Sequence, residues 1–269
     1  MLLWSGAPDL NGPYMVKANS FQARETALRQ DRNVTSAMPK PQAVLLPGTG
    51  SDEIFVRSVF AGPLAAAEVT LVAPEPPRGD RLAVGFLTMI DSVAGCRESP
   101  LLVGGVSFGA HLAAAWAVAH PDRCAGLLLA LPAWSGQPGD APASVAAKAS
   151  ADLIEKEGLD TALRLSTAGV PGWLAGELDR AWRRHGEGLA AGLRVAASYP
   201  APTPEDLAKL DVPVGIAACT DDPVHPVEVA RAWAAALPRA AVRETTLTAL
   251  GEDRESLGRA AVAAWLSVR

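Results

Sequence analysis

Short apolar segments that alternate with longer amphipathic segments constrain the fold of this chain most strongly. From residue 43 onward, short hydrophobic runs end in Gly or Pro, and the segments between them carry apolar residues three or four positions apart. This alternation is typical of βαβ units, so the sequence predicts an α/β fold with a mostly parallel, doubly wound sheet. The predicted strands are 43–46, 68–73, 101–106, 125–131, 214–218 and 241–246, and the predicted helices are 53–66, 81–94, 108–120, 227–237 and 254–267.

One connection in this scheme is too long to be a simple crossover. Roughly 70 residues lie between Trp134 and Val212, whereas a crossover between parallel strands needs only a dozen or more. We therefore expect a helical cap inserted over 135–205, followed by a short helix that the capping-box pattern at 203–206 predicts. The helices predicted within the insertion are 144–157, 173–185 and 189–198.

The remaining segments, 1–134 and 206–269, are predicted to form the core domain. Its first part, 1–42, is rich in Pro, Gly, Asn and charged residues without a clear period, so we expect an irregular N-terminal arm there. The first residues have neither a basic start nor an apolar stretch of the length that a secretory signal needs. We therefore expect a cytoplasmic protein.

The charge balance of the chain excludes some classes of partner. Lys and Arg number 24 against 29 Asp and Glu, which gives a net charge of −5 without a basic cluster. Nucleic acids and anionic membrane surfaces attract basic patches, so we expect neither as a partner. A small-molecule substrate is the expected partner, and the sequence carries no signal for an oligomeric state.

The cysteines and glycine motifs give no sign of a cofactor. Cys96, Cys124 and Cys219 are an odd number, lie far apart and lack CxxC spacing, so we expect reduced thiols in or near the core. No phosphate-binding loop, dinucleotide fingerprint or metal-ligand cluster is present in the sequence. The sequence therefore predicts no cofactor and no metal site.

The motif that carries chemistry is G-x-S-x-G at 105–109. It follows a predicted strand and opens an Ala-rich predicted helix, which is the context that a nucleophile elbow requires. Gly105 and Gly109 would let the strand and the helix approach closely around a strained turn, so that Ser107 projects its hydroxyl above the strand ends. We expect Ser107 to be a nucleophile; the alternative is an ordinary glycine-rich turn.

Acyl transfer also needs donors for the oxyanion that forms in the transition state. The backbone N–H of Phe108, the residue after the nucleophile, is one expected donor. A Gly-rich turn at 47–50, after the first strand, could direct the amide of Thr49 into the same pocket. The alternative for this turn is a plain βα connection.

With the elbow at 105–109 and the Gly-rich turn at 47–50, the chain resembles the α/β-hydrolase superfamily over about residues 43–269. The segment 207–226 is similar to the strand and acid loop of that family. The D-x-x-x-P pattern of the family places the triad acid at Asp222 by this resemblance, with Pro226 opening the next helix. Asp221 is the alternative, since one of the two residues could merely cap a turn.

The sequence departs from the family pattern at the catalytic base. The family usually has its histidine in the loop after the last strand, but residues 246–254 contain none. His111 would point into the protein body, His120 would cap the end of the same helix, and His185 would be solvated on a cap helix or hang over the pocket.

His225 is the best candidate for the base. It lies three residues after Asp222 and beside Pro226, on the loop that leaves the active edge of the sheet. Residues three apart in a turn come within about 5 to 6 Å at Cβ, so Asp222 could orient His225 while its ring reaches Ser107. The alternative is a histidine that only packs in the loop.

Two tryptophans beside the insertion complete the predicted site. Trp134 and Trp173 bracket the cap, so we interpret both as substrate-binding residues that line the pocket. Glu252 and Asp253 stand where the family has its histidine, and we expect them to cap the last helix.

These features predict a cofactor-independent serine hydrolase that cleaves an ester or thioester of a small or medium carboxylic acid through an acyl-enzyme. Because the usual histidine is missing, a binding or accessory protein that has lost acyl transfer is the alternative. C–C bond hydrolysis or lyase chemistry on the same fold is a third reading.

Overall fold

A computed structural model describes the chain from Lys40 to Arg269. The predicted N-terminal arm therefore lies almost wholly outside the described residues. The first residues of the chain, which are predicted to lack a secretory signal, lie outside them as well. The described residues form one six-stranded sheet. The strands are β1 (Gln42–Leu46), β2 (Thr70–Val72), β3 (Leu101–Val106), β4 (Cys124–Ala130), β5 (Val214–Cys219) and β6 (Ala240–Thr245).

Eleven α-helices accompany the sheet in this part of the chain. Three follow the first three strands: α1 (Glu53–Ala66), α2 (Leu82–Gly95) and α3 (Phe108–Ala119). Five lie between β4 and β5 in sequence: α4 (Pro142–Glu157), α5 (Leu159–Ser166), α6 (Gly172–His185), α7 (Leu189–Ser198) and α8 (Pro204–Leu207). The last three are α9 (Val227–Ala236), α10 (Leu247–Glu252) and α11 (Glu255–Leu266).

The sheet is parallel throughout, with strand order β2-β1-β3-β4-β5-β6. Alternate residues of β1 face opposite sides, as the two-residue period of a strand requires. Val44 and Leu46 join a core cluster with α2, α3 and α9, whereas Ala43 and Leu45 join a second cluster with α1 and α11. Helices therefore cover both faces, and the predicted doubly wound α/β architecture is confirmed.

The helices between β4 and β5 have a small hydrophobic cluster of their own. Residues of α4, α5, α6 and α7 share it, with Trp182 and Leu193 among its buried members. At the end of the insertion, Thr203 and Asp206 form the expected capping box at the start of α8. The division of the chain into a core domain and a cap stays a prediction.

Two local features differ from the sequence-based expectation. Strand β2 is shorter than predicted because Glu68, with φ of 57°, still belongs to the turn that ends α1, where its amide donates to the Ala65 carbonyl. The loop after β6 contains the unpredicted helix α10, which begins where the Thr246 hydroxyl accepts the Ala249 amide. Six residues are too few for a helical period to stand out in a sequence.

No helix among the described residues has both the length and the apolar character that crossing a membrane requires.

Candidate active site

The turn between β3 and α3 holds Ser107 in a strained backbone conformation. Its φ of 52° and ψ of −115° are values that residues with a side chain rarely adopt. The Ser107 amide donates to the Ala130 carbonyl at the end of β4, and its carbonyl accepts the amides of Ala110 and His111 in the first turn of α3. These bonds fix the turn, and the side chain stays partly exposed to solvent.

The two glycines of the motif allow the close packing that this turn needs. A Cβ atom at Gly105 would come 2.5 Å from the Leu46 carbonyl oxygen, and one at Gly109 would collide with the carbonyl oxygens of Leu46 and Pro47. Only glycine therefore lets β1, β3 and α3 meet at this point.

Three side chains from two separate loops form a continuous chain of hydrogen bonds. Ser107 Oγ lies 2.9 Å from His225 Nε2, and His225 Nδ1 lies 2.8 Å from Asp222 Oδ2. Ser107 follows β3 and the other two residues follow β5, and the carboxyl ends of parallel strands share one edge of the sheet. His225 is thus the histidine that contacts the candidate nucleophile.

The partners of the His225 ring nitrogens determine which of them donates a hydrogen bond. Burial alone would raise the pKa of the Asp222 carboxyl, but hydrogen bonding and charge from His225, with the amides of Val224 and His225, hold this pKa below its usual value. An ionised carboxylate only accepts hydrogen bonds, so His225 Nδ1–H donates to it. Nε2 is then free to accept the Ser107 hydroxyl proton.

The comparisons with known proteins rest on structure alone, since no protein-family model and no curated protein sequence matches the chain. The structure of Rv0554 from Mycobacterium tuberculosis has a TM-score of 0.66 at 18% identity, over 86% of this chain and 91% of that one. An enol-lactonase from Burkholderia xenovorans LB400 gives 0.65 at 18%, over 86% and 93%, and a thermophilic esterase from Thermogutta terrifontis gives 0.62 at 19%, over 87% and 96%.

The chain has the α/β-hydrolase fold. Within this α/β-hydrolase fold, the loop after β5 carries both the histidine that contacts Ser107 and the aspartate that contacts this histidine. Asp222 Oδ1 accepts the amides of Val224 and His225, which closes the tight turn that brings His225 over its own acid. The neighbouring Asp221 instead accepts the Leu247 amide and faces solvent. Of the two acids that the sequence left open, Asp222 is the one in contact with histidine.

The loop after β6, where the family usually has its histidine, is occupied differently in this α/β-hydrolase fold. Helix α10 fills it, and Trp173 of α6 packs against Gly251, with the Arg254 guanidinium 4.4 Å above the indole ring. Asp253 accepts the Glu255 amide at the start of α11, the capping role expected for it, whereas Glu252 is exposed.

The loop predicted to supply an oxyanion donor lies against Ser107. A Cβ atom at Gly48 would come 3.4 Å from the Cβ atom of Ser107. The amides of Thr49 and Phe108 donate no hydrogen bond to any residue between Lys40 and Arg269. The Phe108 amide is also the first of α3, where helical N–H groups have no partner within their helix.

Two further histidines have structural partners. His111 is buried, and its Nε2 accepts the Ala133 amide at 2.9 Å, which fits the expected inward direction. The His120 ring stacks on Trp116, and its Nδ1 lies 3.0 Å from the Trp116 carbonyl at the end of α3. Between Lys40 and Arg269, neither ring forms a hydrogen bond with the Ser107 side chain.

His185 corrects an expectation. The sequence predicts a ring that is solvated or hangs over the pocket, but His185 is 8% exposed, and its Nε2–H donates to the Ser51 carbonyl at 2.8 Å. The neighbouring Arg180 and Arg184 bind Asp52, a contact that sequence analysis missed. A solvated helix face is a sound expectation for arginine-rich sequence, but here α6 turns that face toward the loop after β1.

The two predicted substrate-binding tryptophans lie in different surroundings. Trp134 is buried, and its ring meets the edge of the His111 ring at a centroid distance of 4.4 Å. Trp173 is half-buried and contacts Gly251 of α10 and the side chain of Arg254, as described above. Contact of either ring with a substrate stays a prediction.

The cysteines only partly match the expectation. Cys124 and Cys219 are buried free thiols, and burial raises the pKa of each to about 12. Cys96 is exposed, so the expectation of a core or near-core thiol is wrong there, because it follows the exposed end of α2. Between Lys40 and Arg269 no group of three or more His, Cys, Asp or Glu side chains is arranged to hold a metal ion.

The buried His111 gives a testable dependence of stability on pH. Burial, with a smaller effect from His225, lowers the pKa of His111 from 6.5 to about 3. Between these values the unfolded chain binds a proton that the folded chain does not, so the free energy of unfolding falls on acidification. The expected slope from this group is about 1.4 kcal/mol per pH unit.

Urea denaturation of the wild type, His111→Gln and His120→Gln between pH 7 and pH 4 measures this slope. Glutamine can still accept the Ala133 amide, so we expect His111→Gln to lose stability less steeply with acid than the wild type. His120→Gln, which replaces an exposed histidine, is the control for the substitution itself. Identical slopes for all three proteins would contradict the assignment of a neutral buried imidazole.

Proposed function

We propose that this chain is a cofactor-independent serine hydrolase that cleaves an ester or thioester of a small or medium carboxylic acid through an acyl-enzyme. The observation that carries the proposal is the uninterrupted hydrogen-bond chain from Asp222 through His225 to Ser107, with the serine on a strained elbow. Nucleophile, base and orienting acid in contact are the diagnostic arrangement for covalent acyl transfer.

Acylation follows from this geometry. His225 Nε2 takes the proton of Ser107 Oγ as the oxygen attacks the substrate carbonyl carbon, and Asp222 stabilises the imidazolium that results. The carbonyl oxygen becomes negative in the tetrahedral intermediate, where the amides of Thr49 and Phe108 donate to it. When the intermediate collapses, His225 returns the proton to the leaving alcohol or thiol, and the acyl group stays on Ser107.

Deacylation repeats these steps with water. His225 removes a proton from the water that attacks the acyl carbon, and the intermediate expels Ser107 Oγ, which recovers its proton from His225. The products are the free carboxylic acid and the original enzyme. The chemistry needs no metal or cofactor, because this chain supplies the nucleophile, the base and the oxyanion donors.

The similar structures are consistent with ester chemistry but do not define a substrate. One is described as an esterase and another as an enol-lactonase, and an enol-lactone is a cyclic ester. Under this proposal, the helices between β4 and β5 act as a cap, Trp134 and Trp173 line the acyl pocket, and the enzyme works on small molecules in the cytoplasm.

Turnover of p-nitrophenyl esters with acyl chains of increasing length tests the proposal. We expect saturable release of p-nitrophenol by the folded chain and, after an acid quench, a mass increase equal to the acyl group. The same protein unfolded in urea is the control for reaction at surface nucleophiles. A folded chain that hydrolyses no ester or thioester above the rate in buffer would contradict the proposal and favour a binding protein.

A further inference from the structure

Helix α6 contacts the loop after β1 at three consecutive residues. We call residues 47–52 the oxyanion loop, because they include the proposed donor Thr49. A Cβ atom at Gly50, where φ is 67°, would come 2.9 Å from Trp182 Nε1, and the Ser51 carbonyl accepts the His185 Nε2–H at 2.8 Å. The third contact, at Asp52, is an ion cluster.

Asp52 is almost fully buried and binds two arginines of α6. Its side chain is 1% exposed. Arg180 binds both carboxylate oxygens of Asp52, with Nη2 2.7 Å from Oδ1 and Nε 3.1 Å from Oδ2. Arg184 places Nη1 3.2 Å from Asp52 Oδ2 and Nη2 2.7 Å from Glu53 Oε1. A bidentate arginine–carboxylate pair fixes the relative orientation of the two side chains as well as the distance between them.

The carboxylate of Asp52 is charged in this setting. Burial alone would raise its pKa, but the hydrogen bonds from Arg180 and the Phe55 amide and the charges of Arg180 and Arg184 outweigh burial and lower it. Salt screens buried pairs much less than exposed ones, so the cluster persists at physiological ionic strength.

Capping of α1 explains only part of the contacts of Asp52. Asp52 Oδ1 accepts the amides of Ile54 and Phe55, which is an ordinary N-cap. Asparagine would serve equally well as this cap, and a cap needs no arginine. The arginines lie 128 and 132 residues away along the chain and join α6 to a loop whose Gly48 packs against Ser107.

We propose that Asp52, Arg180 and Arg184 are positioning residues that hold the oxyanion loop on α6 and thereby set the place of the Thr49 amide beside Ser107. This inference rests on the proposed function. Removal of one oxyanion donor typically costs about 10²- to 10³-fold in kcat, and a displacement of about 1 Å can cost about 10²-fold. Release of the loop from α6 therefore lowers kcat by about 10- to 100-fold and leaves KM nearly unchanged.

The test compares Asp52→Asn, Arg180→Gln and Arg180→Lys with Arg183→Gln. Asp52→Asn keeps the cap but removes the charge, while Arg180 still binds Glu177 and Arg184 still binds Glu53. Arg183 is the matched control, because it lies on the same helix but pairs with Asp160 and Asp179 at the surface. Ester kinetics and urea denaturation are measured for every variant and for the wild type.

We expect kcat to fall about 10- to 100-fold in Asp52→Asn and Arg180→Gln, with Arg180→Lys between these variants and the wild type, and Arg183→Gln equal to the wild type. If Asp52→Asn fails to fold, the two Arg180 variants decide. An active wild type whose cluster variants keep its kcat, or change only KM, would overturn this inference alone. A wild type without ester turnover would overturn the proposed function and this inference together.

Discussion

The Ser107→Ala variant is expected to hydrolyse p-nitrophenyl esters about 10⁶-fold more slowly than the wild type. Alanine removes only Oγ, so the attacking atom is lost while the strained turn, with φ of 52°, keeps its packing. Loss of the nucleophile from such a triad typically lowers kcat by about this factor. The residual rate comes from the oxyanion donors and from substrate binding.

The control for this variant is Ser92→Ala. Ser92 is an exposed serine of α2, and its hydroxyl donates to the Thr88 carbonyl of its own helix. We expect this control to retain wild-type kinetics. Ser107→Ala protein that is folded by circular dichroism and keeps more than about a tenth of the wild-type kcat would show that another group performs the chemistry.

The His225→Gln variant is expected to lose at least about 10⁴-fold in kcat. The glutamine amide cannot take a proton at physiological pH, so Ser107 would remain a neutral hydroxyl and the leaving group would depart without a proton. Because Asp222 still holds the amides of Val224 and His225, the loop should keep its turn. Steady-state kinetics over a range of pH measures the loss.

His120→Gln is the matched control for this second prediction. His120 lies at the far end of α3, stacked on Trp116, and has no described contact with Ser107. Its replacement should change kcat by less than about twofold. A His225→Gln enzyme with near wild-type kcat would mean that the base is a different group.

The sheet and the strand-to-helix turn that carries Ser107 were predictable because their signals are local. The strands β1, β3 and β5 are short apolar runs, and the elbow is five residues long between a strand and a helix. Because parallel strands end at one edge, the order of elements alone brings Ser107 close to the loop that carries Asp222 and His225.

From sequence, His225 could be ranked first among the histidines for contact with Ser107, but the contact itself could not be decided. His225 stands three residues after Asp222, yet only the turn closed by Asp222 Oδ1 orients its ring toward Ser107, 118 residues away. The resemblance to the family favours Asp222 as the acid but leaves Asp221 as an alternative. In the structure, Asp222 contacts His225, whereas Asp221 accepts the Leu247 amide at the start of α10, in the loop after β6.

The contacts between α6 and the loop after β1 could not be predicted from the sequence. Trp182, His185 and the arginines that bind Asp52 lie in an insertion whose periodicity predicts a helix but not the surface on which it packs. An arginine-rich face ordinarily indicates contact with solvent, which is why His185 was assigned to the surface. Here the arginines bind the buried carboxylate of Asp52 instead. The two sides of this contact lie more than a hundred residues apart in the chain, so no local sequence pattern indicates it.

Mapping the covalent adduct of a fluorophosphonate probe tests the central claim most directly. Ser107 Oγ attacks the phosphorus atom while His225 takes its proton, fluoride leaves, and the phosphoryl oxygen takes the place of the oxyanion, so the reaction requires both the nucleophile and the base. We predict a single adduct on the peptide that contains Ser107 in the wild type, formed far more slowly in His225→Gln. A folded wild type that remains unlabelled, or one labelled at another residue, would contradict the account.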